Sequence, residues 1–302
     1  MSAALLVPAL LLDAALGEPD WLWKRWPHPA VLMGRVVGWC DARLNQGRAR
    51  RAKGVLAMAL MGSGALILGA LIAAVPDYGV LEVIVAAILL AQRSLVDHVR
   101  AVGNALRQSL GDGRLTVGWI VGRDTAAMDE PAVARAAIES AAENLSDGIV
   151  APALWFLVFG LPGLMLYKIT NTADSMIGHR TPRHEEFGWA AARLDDVLNW
   201  LPARVTAALI ALSHGVTDVR RILRDAPLHR SPNAGWPEAA MAVVLGVALS
   251  GPRSYHGRRQ EFPWVNPEGR RDAGPADVDA ACGALWRAWA GLLLLAVAVA
   301  LV

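Results

Sequence analysis

The polar residues that could perform chemistry are concentrated in one stretch of this chain, residues 120–199, between strongly apolar segments. Its most polar parts are residues 120–125, 139–148, 167–180 and 191–200. Placing one Asp, Lys or Arg at the centre of a membrane-spanning helix costs about 2.5–3.5 kcal/mol on insertion scales. A cluster of such residues among apolar runs therefore indicates a functional site in a membrane-embedded enzyme.

The first candidate is an acidic stripe on a predicted helix over residues 130–145, which Asp129 and Pro131 open. Arg135, Glu139 and Glu143 are spaced four apart and Asp147 follows one step later, so all four share one face. Two carboxylates on one face can hold Mg²⁺ while a phosphate supplies further ligands. A solvated stripe with an Arg135–Glu139 ion pair is the alternative, and the spacing leaves both open.

The second candidate is the stretch 167–180. If it is helical, Lys168, Asn171, Asp174 and Ser175 share a face, and a Lys beside an Asp and an Asn suits a nucleotide phosphate with its magnesium. Arg180 adds a further cation. An interfacial helix, with Lys168 extended towards the membrane surface and Asn171 as a cap, explains the same residues equally well.

The third candidate lies at the end of a helix that is predicted to begin near residue 187. Asp195 and Asn199 are four apart, and Asp195 and Asp196 stand at the C-terminal end, where the helix dipole disfavours negative charge. A cation should compensate, and Arg193, Arg204 and a bound metal remain open.

The tetrapeptide at 122–125 is weaker, because no GxxxxGK[ST] sequence surrounds it. Arg123 could still bind a phosphate or carboxylate bidentately, with Asp124 orienting it. His28, His98 and His256 are scattered along the chain and are predicted to be structural.

The elements that must position these residues read as membrane helices. Hydrophobic residues make up 55% of the chain, above the roughly 45–50% of soluble domains. Residues 54–75 contain no charge and would form a helix of ~33 Å, long enough to span a bilayer. A net charge of +2 without a basic tract argues against nucleic-acid binding. Cys40 and Cys282 have no neighbouring ligand residues, so neither a disulfide framework nor a zinc site is predicted.

The order of apolar runs and positive charges predicts the topology. A span at 3–16, an arginine-rich cytoplasmic loop at 18–53 and a hairpin of 54–75 with 80–92 come first. Residues 149–166 would pass for a span, but Gly160-Leu161-Pro162-Gly163 interrupts them. The first arm, 149–159, would be ~17 Å long, too short for a ~30 Å hydrocarbon core. We therefore predict a re-entrant hairpin, which keeps both polar flanks on one side.

The remaining segments raise the same difficulty of short apolar elements. Residues 201–212 and 236–249 are short apolar elements separated by arginines, so either they reach half the membrane depth or their loop breaks the charge rule. Residues 251–283 read as cytoplasmic and 285–302 as a final span. The predicted fold is all-α: one polytopic membrane domain, 1–302, made of N-terminal spans (1–92), a polar catalytic block (93–200) and C-terminal helices (201–302).

The polar strings, taken together and in order, resemble the adenosylcobinamide-phosphate synthase family of cobalamin biosynthesis, also called the CobD/CbiB family. The matching stretches cover most of the chain: LDAALGEPDW, PHPAVLMGR, SLVDHVRAVGNAL, IVGRDT, ESAAENLSDGIVAPALW, GLPGLMLYKITNTADSMIGHR, FGWAAARLDDVLNWLPAR and SPNAGWPEAAMAVVLGVALSGP. One such string alone would be weak, whereas the ordered set is highly specific.

The resemblance implies a multi-pass enzyme of the inner membrane whose site faces the cytoplasm. It implies that adenosylcobyric acid is joined to (R)-1-amino-2-propanol or its O-phosphate, giving adenosylcobinamide or its phosphate with consumption of ATP. Amide formation needs an activated acyl group, most simply an acyl phosphate, whose formation Mg²⁺, Lys and Arg would assist. The attacking amine must be neutral, so a carboxylate base is expected. Whether the amine arrives phosphorylated stays open.

The residues found above take hypothetical roles in this chemistry, and we expect them to converge at the inner leaflet. Catalytic roles are assigned to Glu139, Glu143, Asp174 and Lys168. Mg²⁺ is assigned to Asp147, Asp174, Asp195 and Asp196. Substrate or ATP binding is assigned to Arg123, Asp124, Asn144, Asn171, Ser175, Arg180 and Asn199.

A different class of protein, a polytopic transporter or a corrinoid-binding scaffold, is the competing hypothesis. Transporters commonly contain inverted repeats with paired broken helices, and the sequence shows interruptions without convincing internal symmetry. Besides its substrates and the bilayer, the protein is expected to meet either a second copy of itself or other membrane proteins of the late cobalamin pathway.

Overall fold

The computed structural model describes residues 2–255 and 257–302, so His256 lies outside the described residues. The described residues are mainly helical, which confirms the predicted all-α class. The first helices are α1 (Ser2–Leu16), α2 (Asp20–Trp23), α3 (Pro29–Leu44), α4 (Arg50–Ala73), α5 (Val80–Leu89), α6 (Gln92–Gln108) and α7 (Leu110–Val117). They are followed by α8 (Glu130–Leu145), α9 (Ala151–Ile177), α10 (Trp189–Leu198), α11 (Trp200–Leu212), α12 (Arg220–Asp225), α13 (Gly235–Leu245) and α14 (Pro275–Ala300).

Four short strands lie at and after the start of the segment predicted as a cytoplasmic loop, 251–283: the first comes just before it and the other three lie within it. Strand β1 (Leu249–Ser250) pairs antiparallel with β4 (Trp264–Val265). Strand β2 (Arg253–Tyr255) pairs antiparallel with β3 (Arg258–Gln260), with Arg253 opposite Gln260. The sequence offers little signal for them, because strands this short contain no period-two alternation to read.

Judged by length and composition alone, three helical stretches of the described residues could cross a membrane: Arg50–Ala73, Pro275–Ala300 and the run Glu130–Ile177, which joins α8, a π-helical turn and α9. Ser2–Leu16 and Trp200–Leu212 are shorter apolar helices. These lengths, with the hydrophobic composition, identify a polytopic helical membrane protein.

The fold differs from the sequence prediction at two boundaries. The loop predicted at 18–53 contains the helix α3, where the His28 ring nitrogen Nδ1 accepts a hydrogen bond from the Ala30 N–H at 3.1 Å and so caps the helix. The last helix begins at Pro275 and not at residue 285, because its first turns carry charges that the apolar run did not include.

The chain forms two compact units. The first contains the described residues up to Ala91, together with Ala151–Trp200 and Leu295–Val302. The second contains Gln92–Val150 and Leu201–Leu294. Two of these boundaries fall within one residue of the predicted segment ends at 92 and 200, whereas the predicted polar block is divided after Val150. The prediction of a single membrane domain stays a prediction.

In the first unit the chain reverses direction inside α9. Gly160 has φ 64° and ψ −158°, outside the helical region, and a Cβ added to Gly163 would lie 2.6 Å from the Trp155 carbonyl oxygen. Ala151 and Tyr167 belong to one buried cluster, although a straight helix would separate them by ~24 Å. The hairpin predicted at Gly160–Gly163 is therefore present in the chain, while its depth in the bilayer stays a prediction.

In the second unit α8 begins where the sequence predicts. The Asp129 carboxylate accepts a hydrogen bond from the Ala132 N–H at 2.8 Å and caps the helix. Its alanines are buried along most of the length. The helix continues into a π-helical turn, Ser146–Val150, that contains Asp147. Asp147 follows Glu143 by four residues, as Glu143 follows Glu139, but it lies in this π-helical turn and not in α8.

Candidate functional site

The second unit buries a carboxylate, Glu139, between two arginines. Glu139 is 4% exposed, and its Oε2 lies 2.5 Å from Arg123 Nη2 and 3.3 Å from Arg253 Nη2. The Ser250 N–H donates to Oε1 at 2.6 Å. A buried carboxylate is tolerated only when ion pairs and hydrogen bonds replace its hydration, and Glu139 has both. Among the described ion pairs its partners are these arginines and not Arg135, one helical turn away.

Arg123 reaches this position because the loop after α7 is tied to α8. The Ser140 hydroxyl donates to the Ile120 carbonyl oxygen at 2.8 Å, which holds the start of the loop against the helix. The Asn144 amide donates to the Ser140 carbonyl oxygen at 2.9 Å, so this predicted substrate-binding residue bonds to the backbone of its own helix.

Asp124 connects the same loop to the hairpin formed by β2 and β3. Its backbone N–H donates to the Ser254 carbonyl oxygen at 3.1 Å, and its carboxylate accepts from the Gly257 N–H at 2.7 Å. We predicted that Asp124 orients Arg123, and the described partners place it instead as the anchor of the hairpin that carries Arg253.

A cavity of about 340 Å³ opens beside Glu139. Four arginines and three carboxylates contribute to its wall, namely Arg123, Arg135, Arg253, Arg259, Asp124, Asp129 and Glu139. Within the described residues, Nε of Arg253 has no hydrogen-bond partner, and its Nη2 has ion-pair contacts to Glu139 and Glu238 without hydrogen-bond geometry. Because guanidinium groups bind carboxylates and phosphates in a planar, bidentate manner, the charge and the unsatisfied donors suit an anionic ligand.

Aromatic rings contact two of the arginines that line this cavity and a third arginine nearby. The Arg135 guanidinium lies 5.3 Å from the centre of the Trp264 ring, and Arg271 lies 4.7 Å from the same ring. Arg253 lies 5.4 Å from the Phe262 ring. Such cation–π contacts contribute about 0.5–2 kcal/mol each and limit the rotation of side chains that would otherwise repel one another.

Sequence reasoning missed Arg253, Glu238 and His229. Glu238, on α13, is 2% exposed, and its two oxygens lie 4.0 Å from Arg253 Nη2 and 3.6 Å from His229 Nε2. Burial, together with the nearby charge of Glu139, raises the pKa of Glu238 well above its usual range, and Arg253 opposes this only in part. Burial lowers the pKa of His229. A single Glu within an apolar run was the one signal in the sequence.

The first unit contains a separate carboxylate–amide cluster around Asp195. Asp195 is 9% exposed and accepts hydrogen bonds from the Asn199 amide at 2.9 Å and the Asn171 amide at 3.3 Å. The Tyr167 hydroxyl donates to Asn199 Oδ1 at 3.0 Å. Burial raises the pKa of Asp195 to about 7, and the charge of Asp174 adds to this effect. The predicted face of α9 and the end of α10 therefore meet.

The other predicted residues of this unit lie around that cluster. Asp196 pairs with Arg193 at 3.1 Å, so Arg193 supplies the compensation that was open for Asp196. Burial raises the pKa of Asp196, while Arg193 and Arg180 oppose the shift. The Ser175 hydroxyl donates to the Asn171 carbonyl oxygen at 2.9 Å. Lys168 lies on α9 with Asn171 and Asp174.

The structure divides the predicted residues between the two units. Glu139, Glu143 and Asp147 lie in the second unit, and Lys168, Asp174, Asp195 and Asp196 lie in the first. Their predicted convergence at one site stays a prediction. Among the described residues, no group of three or more His, Cys, Asp or Glu side chains is arranged to hold a metal ion.

Comparison with known proteins places the chain in a family. The family model described as CobD/Cbib protein matches residues 6–285. A Cobalamin biosynthesis protein CobD from Rhizobium meliloti (strain 1021) is 50% identical, over 92% of this chain and 90% of that protein. Proteins of the same name from Brucella suis biovar 1 (strain 1330) and Rhodobacter capsulatus are each 48% identical, over 97% of this chain and 95% of theirs. No solved structure matches.

The family model and these relatives match nearly the whole chain, and the relatives are about 50% identical to it. The matched region includes both polar clusters described above. The chain therefore belongs to the CobD/CbiB family, and it is a membrane protein of cobalamin biosynthesis.

Proposed function

We propose that the protein is an ATP-dependent acid–amine ligase that joins adenosylcobyric acid to (R)-1-amino-2-propanol or its O-phosphate. The product is adenosylcobinamide or its phosphate, formed at the cytoplasmic face of the inner membrane. The observation that carries the proposal is the arginine-lined cavity beside Glu139. Membership of a cobalamin-biosynthesis family supports the identity of the substrates.

The cavity suits the phosphate groups that such a reaction must hold. Phosphoryl transfer depends on positioning and on cations that stabilise the charge on the transferred group. Arg123, Arg135 and Arg253 approach the cavity from three separate segments of the second unit. Glu139 acts as a positioning residue here, because it pairs with two of these guanidinium groups and fixes their direction.

A carboxylate that accepts the proton of the attacking ammonium group is the second requirement. A general base works best when its pKa lies near the working pH, and burial raises the pKa of Asp195 to about 7. The Asn171 and Asn199 amides hold its oxygens in place. We assign the role of general base to Asp195, with Asp174 as its neighbour. Lys168, on the same helix as Asp174, is assigned to bind an anionic group of a substrate.

The donor set is compatible with a magnesium ion that arrives with the nucleotide. Mg²⁺ usually binds proteins through one or two carboxylates and keeps water and phosphate oxygens as its other ligands. A preformed cage of three side chains, which the described residues lack, is therefore not required. We assign Asp174 to the metal in the first unit and Asp147 in the second, and bound Mg²⁺–ATP would supply the phosphoryl group that activates the acid.

The test is product formation by the purified protein in detergent, supplied only with the two substrates, ATP and Mg²⁺. We expect product in the wild type and none in Asp174→Ala or Glu143→Ala, while both variants still insert into membranes. Asp218→Ala is the matched control, because Asp218 is an exposed residue remote in sequence from the clusters. Near-normal turnover in both site variants would refute the assigned roles, and inactivity of the wild type would favour a transporter or a scaffold.

The cavity has its own test. Loss of one charge-assisted hydrogen bond costs about 1.5–3 kcal/mol, so Arg253→Gln should raise the KM for ATP by roughly 10-fold to 150-fold. Arg258→Gln removes an exposed arginine of the same hairpin that does not line the cavity and should leave KM unchanged. An equal response of the two variants would argue against phosphate binding in the cavity.

A further inference from the structure

An apolar groove runs along the surface of the first unit, between α4, the second arm of α9 and α10. It has a volume of about 360 Å³, and its walls include Val55, Met58, Gly62, Leu66, Leu166 and Leu194. Helix α4 is one of the stretches long and apolar enough to span the membrane. The groove therefore faces a hydrocarbon environment, and its occupant must be apolar over this length.

The end of the groove near the N-terminus of α4 is polar and aromatic. The Arg51 guanidinium lies 3.9 Å from the centre of the Trp189 ring, and Trp189 lines the groove. Neighbouring cations have partners, since Arg50 pairs with Glu186 at 3.3 Å and the Lys53 ammonium donates to the Gln46 carbonyl oxygen at 2.7 Å. No ion pair is described for Arg51 within residues 2–255 and 257–302, which leaves its charge available to an anion.

The length of the groove matches one leaflet of a bilayer. Its α4 wall runs from Val55 to Leu66, a rise of ~17 Å along a helix, while half of a hydrocarbon core is ~15 Å. A tryptophan with an arginine at one end of a spanning helix marks the level of the lipid headgroups. An apolar groove as long as one leaflet is thick, with a cation at one end, is complementary in shape and charge to an anionic phospholipid.

We propose that this groove binds one anionic phospholipid of the leaflet at the N-terminal end of α4, with an acyl chain along the groove and the phosphate group on Arg51. The lipid bridges α4 and α10 and so stabilises the first unit. The binding is independent of the ligase reaction. On the predicted topology this leaflet is the cytoplasmic one, since the arginine-rich segment 18–53 precedes α4.

The test measures thermal unfolding of the full-length protein, purified in detergent and supplemented with dioleoyl phosphatidylglycerol or dioleoyl phosphatidylcholine. We expect the anionic lipid to raise the Tm of the wild type more than the zwitterionic lipid. Arg51→Gln should abolish that difference. Arg48→Gln, which removes an exposed arginine of the preceding loop, should retain it.

A second pair of variants tests the acyl-chain position. Ala59 lines the groove and Ala70 is exposed elsewhere on α4. Ala59→Trp should fill the groove and remove the stabilisation by phosphatidylglycerol, and Ala70→Trp should not. Equal stabilisation of the wild type by both lipids, a headgroup preference that survives Arg51→Gln, or equal responses of the two Trp variants would overturn the proposal. Ligase activity is not read out, so the result stands apart from the proposed function.

Discussion

Removing the Arg123 side chain should destabilise the protein strongly, because the buried Glu139 carboxylate then keeps only one of its two arginine partners. The two side chains are 8% and 5% exposed, and breaking a buried ion pair by deleting one partner costs about 3–5 kcal/mol. Arg253 Nη2, at 3.3 Å, and the Ser250 N–H remain beside the carboxylate. We therefore expect Arg123→Ala to cost about 3 kcal/mol, at the lower end of that range.

Thermal unfolding in detergent can measure this effect. A change of 1 kcal/mol shifts the Tm of a large domain by about 2–4 °C, so Arg123→Ala should lower it by roughly 6–12 °C. Arg93→Ala is the control, because Arg93 forms an exposed pair with Asp97, their side chains being 46% and 50% exposed. Such pairs contribute about 0–1 kcal/mol, and the Tm should change little.

A double-mutant cycle separates the ion pair from lost packing. In a Glu139→Gln background the carboxylate charge is gone, so Arg123→Ala should cost only about 1 kcal/mol, the worth of an ordinary hydrogen bond. The coupling between the two sites should then be about 2 kcal/mol. If Arg123→Ala costs the same in both backgrounds, or no more than Arg93→Ala, the electrostatic account of this cluster is wrong.

Three further predictions concern residues of the first unit. The pKa of Asp195 is raised from 3.8 to about 7, so the stability that this residue contributes is complete below about pH 4 and is lost as the pH rises through 7. In metal-free buffer, the Tm should therefore fall more between pH 5 and pH 8 in the wild type and in the control Asp218→Asn than in Asp195→Asn. Parallel curves of Tm against pH for the three proteins would contradict this. Gly160→Ala places a side chain at φ 64° and ψ −158°, a region open essentially to Gly alone, and should lower the stability by about 1–3 kcal/mol. Gly64 is the control, because it lies in a helix and a Cβ added there would have no other atom within 4 Å; Gly64→Ala should leave the Tm unchanged or raise it. Arg183 is 61% exposed, so Arg183→Cys should react with a membrane-impermeant maleimide from the cytoplasmic side, and labelling from the outside alone would refute the predicted topology.

Local chemistry allowed much of this fold to be predicted from the sequence. Asp129 and Pro131 define the start of α8 because a capping carboxylate and a proline act within one helical turn. The Gly160–Gly163 interruption predicts the chain reversal because backbone conformation there depends on two or three residues. The same-face spacing of Lys168, Asn171 and Asp174 requires only that the segment is helical. Each of these signals acts over a few residues.

The composition of the candidate site was decided by tertiary structure. Ser250 and Glu139 are 111 positions apart in the chain, and Arg253 reaches Glu139 from a short hairpin that no sequence pattern announces. Asp195 could be singled out by its place at a helix end, but its raised pKa depends on burial and on Asp174 from another helix.

The sequence by itself determined the membrane class, the family resemblance, most of the helices and the polar block, because hydrophobic runs, caps and breakers are local. Only the tertiary structure decided which charges are buried and which cation compensates each carboxylate. The physical reason is that a buried charge is stable only beside partners that replace its water, and in this protein those partners come from distant parts of the chain.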